Sequence, residues 1–138
     1  MGCAAALVFA NLGASYGTAK SAVGIASLSV IDSSKILKSL IPVIMAGILG
    51  IYGVIVAAVM QSKAKSAESA QVGYQIFAAG LCCGLSSLAS GLAIGVAGDA
   101  GVRAYAQTDG IFVGLILIMI FSEAIGLWGL IVALIMTS

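Results

Sequence analysis

The chain has 138 residues, 62% of them hydrophobic and 8% charged, where a soluble domain carries about 25% charged residues. Ordinary water solubility is therefore excluded; the net charge of +1 gives no footing for nucleic-acid binding, and the lack of His excludes a His-ligated zinc site. The composition reads as an all-α membrane protein, and four segments reach the roughly 20 apolar residues that one bilayer span needs.

The first segment runs from about Cys3 to Val30 and is rich in Gly, Ala and Ser. Gly13 and Gly17 form a small-xxx-small pair continued by Ser21, a spacing that lets helix backbones approach closely in lipid. It lacks the positive n-region of a cleavable signal, and its apolar stretch is too long for one. Met1-Gly2-Cys3 fails as an acylation signal because position 6 is Ala6. The chain starts abruptly inside apolar sequence, so a short N-terminal tail is expected ahead of it. Lys20 reads as a side chain that snorkels toward an interface rather than a buried cation. The first connection carries Asp32, Lys35 and Lys38.

The second segment, Leu40 to Met60, has Pro42 in its first turn, where a missing N–H costs little. Lys63, Lys65 and Glu68 follow. The third segment, Val72 to Ala97, repeats the small-residue spacing at Gly80/Gly84 and Gly91/Gly95. Its adjacent Cys82 and Cys83, like Cys3, read as small packing residues, not a disulfide framework. Asp99 and Arg103 are expected to be solvated charges that end this helix, with Asp109 beyond them. Positive charge leans slightly toward cytosolic first and third connections, with Lys35, Lys38 and Arg103 against Lys63 and Lys65.

The fourth segment, Ile111 to Met136, is almost wholly apolar and carries Glu123 near its middle. An ionised carboxylate at the centre of a membrane helix costs about 2.5–3.5 kcal/mol on insertion scales. Such a residue points to a proton or ion site in lipid. At 1.5 Å per residue the longer segments exceed a bilayer core of about 30 Å, so they project or tilt.

The chain repeats itself. Gly13/Gly84, Ser15/Ser86, Ala22/Ala93, Gly24/Gly95 and Ala26/Ala97 share one offset. Gly50/Gly126, Gly53/Gly129 and Ile55-Val56-Ala57/Ile131-Val132-Ala133 share a slightly larger one, which places the extra residues near Gly98 to Thr108. Four transmembrane helices thus form two tandem, parallel hairpins, residues 1–65 and 66–138. The repeat is broken where it counts: Glu123 aligns with Gly47, and Trp128 with Tyr52. The odd helices are small-sided and suited to an inner layer. The even ones are bulky and suited to face lipid and present Glu123.

Several stretches together carry a resemblance. They are Leu12-Gly13-Ala14-Ser15-Tyr16-Gly17-Thr18-Ala19-Lys20-Ser21, Ile41-Pro42-Val43-Ile44-Met45-Ala46-Gly47, Gly50-Ile51-Tyr52-Gly53, Gly91 through Arg103, Phe112-Val113-Gly114 and Ile120-Phe121-Ser122-Glu123. Over essentially its whole length the chain resembles the proteolipid c-subunit family of V-type, vacuolar, proton-pumping ATPases. It departs from the family in the short N-terminal stretch common there. The resemblance implies a rotor ring of homologous subunits that turns against a stationary membrane subunit, with ATP hydrolysed in a separate soluble sector. It implies that Glu123 is the essential carboxylate and carries the proton, that the stator supplies an arginine, and that a central-stalk subunit docks on cytosolic loops near Asp99 and Arg103. It implies an acidic endomembrane compartment such as the vacuole.

Burial in low dielectric disfavours a charged carboxylate, so a protonated Glu123 can pass through lipid where an ionised one is opposed. Tyr52 is the candidate hydrogen-bond partner, on the resemblance; aromatic packing is its other reading. Ser122 is a weaker neighbour because adjacent helical residues point about 100° apart, and Gly47 marks the equivalent place in the first repeat. Sodium would need several oxygen ligands, and the positions that supply them in sodium-type relatives are Ile48, Leu49 and Ile94 here. The ion is therefore read as a proton, with no metal and no cofactor. No Gly-x-x-x-x-Gly-Lys-Ser/Thr loop exists to hold ATP, so the chain is a transport component rather than an enzyme by itself. The alternatives are a small proton-coupled multidrug transporter or a structural, channel-like proteolipid.

Overall fold

Apolar runs broken by Pro42 and by small polar clusters set the elements of the computed structural model, which describes residues 1–66 and 68–138. Helix α1 spans Gly2–Ile31 and ends at Asp32, whose backbone is extended. The Asp32 carboxylate accepts the Ser34 hydroxyl at 2.6 Å and the Ser34 N–H at 3.0 Å, which starts a 3₁₀ turn at Ser33–Lys35. Those two bonds hold its carboxyl below the usual carboxylate range. The four-residue α2 (Ile36–Ser39) leads to α3 (Ile41–Lys65), which has Pro42 in its first turn and Lys63 and Lys65 in its last, where cations suit the helix dipole. Ser69 caps α4 (Ala70–Gln107) by accepting the Val72 N–H. After a 3₁₀ turn at Asp109–Ile111, α5 spans Phe112–Thr137.

Among the described residues, three segments are long and apolar enough to cross a membrane: Ser33–Lys65, Ala70–Gln107 and Asp109–Thr137. Helix α1 has the length but is diluted by Gly, Ser, Asn11 and Lys20.

Four expectations are corrected. The third helix does not stop at Ala97; it continues to Gln107 and, at 38 residues, is about 57 Å long. The extra residues of the second repeat are absorbed as helix rather than loop. Asp99 and Arg103 do not end it but pair one turn apart along it, Nε to Oδ1 at 2.7 Å. Lys20 also does more than snorkel: its Nζ meets Asp99 Oδ2 at 3.4 Å, joining α1 to α4.

The helices pack through glycine. A Cβ on Gly13 would lie 2.5 Å from the Ser87 carbonyl, one on Gly17 3.0 Å from the Gly91 carbonyl, and one on Gly24 2.9 Å from the Asp99 carbonyl. Successive positions of α1 meet successive positions of α4, so these two helices run side by side and parallel. Helix α3 returns antiparallel on α1, with Gly53 against Ala10 and Ala46 against Gly17. Helix α5 returns antiparallel on α4, with Leu115 against Gly101, Ser90 against Gly126 and Ser86 against Gly129. Leu49 of α3 closes on Gly126 of α5, which brings the two return helices together.

Apolar burial gathers in two clusters. One, around Leu28, Leu49, Ile94 and Met119, lies toward the two 3₁₀ turns; the other, around Val56, Met60, Cys83 and Leu130, lies toward the far end. Tyr52 packs against both. At the first end Lys35 ties the two turns: its Nζ meets Asp109 at 2.6 Å, Asp32 at 3.8 Å and the Tyr105 carbonyl at 3.2 Å. The outer sides of α3 and α5 expose Ile51, Val54, Phe121, Trp128 and Ile135. So much contiguous apolar surface needs lipid or another chain against it.

Candidate functional site

Helix α5 buries one stripe, Leu115, Met119, Ser122, Gly126, Gly129 and Ala133, at three- and four-residue spacing. Glu123 follows Ser122 and so points to the edge of that stripe, half-buried. On its other side α5 is open: Phe121 is 74% exposed and Trp128 64%. The carboxyl thus stands at a border between the helix packing and the apolar exterior.

Both carboxyl oxygens of Glu123 are buried and neither has a hydrogen-bond partner among the described residues. The polar group that comes up to them is the Tyr52 hydroxyl, from α3, although the pair does not close a bond of ordinary geometry. An unpartnered charge in such a place is strongly disfavoured. The arrangement favours the neutral, protonated carboxyl.

The other expected neighbours are placed differently. Ser122 is buried, but its hydroxyl donates to the Ile118 carbonyl at 2.9 Å, one turn back in its own helix. Gly47 is exposed on α3, and a Cβ there would meet nothing within 4 Å. Leu49 and Ile94 are fully buried apolar residues and Ile48 is partly buried, so none of the three brings an oxygen to the carboxyl. No three His, Cys, Asp or Glu side chains converge among the described residues. The three cysteines are free, with Cys83 buried and its Sγ 3.8 Å from the Tyr52 carbonyl.

Sequence reasoning missed the serines of α4. Ser90 Oγ donates to the Ser122 carbonyl at 2.6 Å, and Ser86 Oγ to the Ile125 carbonyl at 2.5 Å. Their one sequence signal is polar residues spaced by four in an apolar helix. Ser21 and Ser87 are buried, and their hydroxyls meet no hydrogen-bond partner among the described residues.

The profile of the ATP synthase C-subunit family matches residues 1–60 and again 77–136. The chain is 58% identical, over 99% of its length and 86% of the relative's, to the 16 kDa proteolipid c-subunit of the V-type proton ATPase of Ascaris suum. It is 56% identical to the V-type proton ATPase 16 kDa proteolipid subunit of Chrysotila carterae, over 100% of this chain and 88% of that one. It is 54% identical to the 16 kDa proteolipid c-subunit of the V-type proton ATPase of Homo sapiens, over 100% of this chain and 89% of that one.

Proposed function

We propose, for a chain that belongs to the V-type proton ATPase proteolipid c-subunit family within the wider ATP synthase C-subunit family, that Glu123 is the proton carrier of a membrane rotor. The protein is an integral membrane subunit that moves protons while ATP is hydrolysed in other subunits. The observation that carries the site is the Glu123 carboxyl, buried without a partner beside Tyr52 on the last membrane helix.

All four long helices cross the bilayer. Helix α1 is more polar than the rest, but it lies along the spanning α4 from Gly2 to Gly24 and cannot leave the membrane without it. Two tandem hairpin repeats, 1–65 and 66–138, are supported by the two separate family matches and by the parallel course of α1 and α4. In a ring of such subunits the glycine-faced α1 and α4 form the inner layer. Helices α3 and α5 face outward with their exposed Ile, Val, Phe and Trp.

Protonated, Glu123 is neutral and passes through lipid. At the stator an arginine of another subunit favours the ionised form, and the proton leaves toward the lumen. A fresh proton enters from the cytosolic side. Tyr52 supports the carboxyl with its hydroxyl. The ion is a proton because Ile48, Leu49 and Ile94 supply no oxygen for sodium. The turns joined by Lys35, with Asp99 and Arg103 nearby on α4, are the surface on which a central stalk docks, and the lumen served is that of a vacuole or another acidic compartment.

A lipid-soluble carbodiimide, which adds to protonated carboxyls in apolar surroundings, tests the site. The expected result is one adduct per modified chain, at Glu123, with ATP-driven acidification lost in step with labelling. An adduct at Glu123 that leaves acidification intact would overturn the reading.

A further inference from the structure

Two hydroxyls of α4 reach α5 on either side of Glu123. Ser90 donates to the Ser122 carbonyl and Ser86 to the Ile125 carbonyl, at 2.6 and 2.5 Å. In a helix those carbonyls already accept from the N–H groups of Gly126 and Gly129, four residues on. A carbonyl has two lone pairs, so each takes a serine as its second donor. The approach of Ser86 depends on glycine at 129, where a Cβ would lie 2.5 Å from Ser86 Oγ; at Gly126 a Cβ would stand 3.4 Å from Ser90 Oγ, an ordinary contact. Ser86 and Ser90 are one turn apart and share a face of α4. Cys82, on the same side, places its Sγ 4.0 Å from the Gly129 carbonyl.

We propose that Ser86 and Ser90 are positioning residues for the proton carrier. They fix the rotation and height of α5 on α4, so that the Glu123 carboxyl is turned toward Tyr52 instead of out into lipid. The need for such a device follows from the site. The Glu123 carboxyl makes no hydrogen bond among the described residues, so no bond at its tip sets its direction. The exposed side of α5, with Ile, Leu, Val, Phe and Trp, does not set it. Lipid is indifferent to which of these it touches, so only the buried side of the helix can oppose a roll. Hydrogen bonds are directional, and two of them, bracketing Glu123, resist that roll. Neither serine touches the proton; both act through the backbone of α5. The glycine at 129 then has a second use beyond close packing, since it opens the path by which the Ser86 hydroxyl reaches its carbonyl.

The inference rests on Glu123 as the carrier and is tested in the intact ATPase with this chain as its sole c-type proteolipid. The variant is Ser86→Ala/Ser90→Ala. Two readings are taken: the infrared C=O band of the protonated Glu123 carboxyl, assigned by difference against Glu123→Gln, and the rate of labelling by a lipid-soluble carbodiimide. The native band is expected to be single and narrow. In the variant it broadens or splits, and labelling rises about fivefold, the factor that one net hydrogen bond controls. An unchanged band with an unchanged labelling rate, in a complex that assembles and has its proton pumping abolished by Glu123→Gln, overturns the positioning role and leaves the carrier reading standing. Pumping that survives Glu123→Gln overturns the carrier reading and this inference with it. Should the double variant fail to assemble, Ser90→Ala alone is read in the same way, with the same two outcomes.

Discussion

Tyr52 shows what a single residue contributes at this site. Its hydroxyl comes up to Glu123, and the residue packs against both apolar clusters. Tyr52→Phe keeps the packing and removes the hydroxyl. The initial rate of ATP-driven acidification is expected to fall severalfold, because the buried carboxyl loses the polar side chain that stands beside it, with assembly unchanged; a native rate would reduce Tyr52 to a packing residue. Glu123 is legible in the sequence as the lone charge of an apolar helix. That Tyr52 stands beside it could be anticipated from family resemblance alone, because the two residues lie on different helices and no local spacing connects them. The uses of Ser86 and Ser90 could not be anticipated, because their acceptors are backbone carbonyls, which leave no trace in side-chain identity. Ser122 invites notice by adjacency, but its hydroxyl is turned back on its own helix.

At the scale of the element, glycine spacing decides which helices touch. A Cβ on Gly91 would fall within the backbone of Gly13, where no flexible side chain can yield. Gly91→Ala is therefore an overpacking change at a rigid contact, with a cost of about 1–3 kcal/mol. The complex isolated with this variant is expected to contain less of this proteolipid than the native complex does, measured by quantitative mass spectrometry. Gly114→Ala, where an added Cβ meets nothing within 4 Å, is the control and should assemble normally. Native incorporation of Gly91→Ala would mean that α1 and α4 can part without loss. The small-xxx-small pairs make this packing readable from sequence, and Pro42 makes the start of α3 readable. The length of α4 is not, because charge at Asp99 and Arg103 imitates a helix end. In the fold the same charges pair along the helix and with Lys20 from α1.

For the whole molecule, the two halves share a framework and differ in chemistry. Parallel α1 and α4 place Gly47 and Glu123 at matching positions of α3 and α5, so each chain brings two equivalent outward helices but one carboxyl. On the proposed reading of Glu123, a ring built from these chains would move half as many protons per turn as it has helices of the α3 and α5 type. The duplication is visible in sequence because glycine and alanine positions hold it in register. The parallel course of the halves is legible too, because each repeat has two spans; which helices touch across the halves, α1 on α4 and α3 on α5, needs three dimensions. The most direct measurement is ATP-driven acidification of vesicles in which the sole c-type proteolipid is the Glu123→Gln variant, with assembly of the complex checked in the same preparation. The account predicts an assembled complex that does not acidify. Acidification by that complex would contradict it, and would leave this chain a structural proteolipid with the proton carried elsewhere.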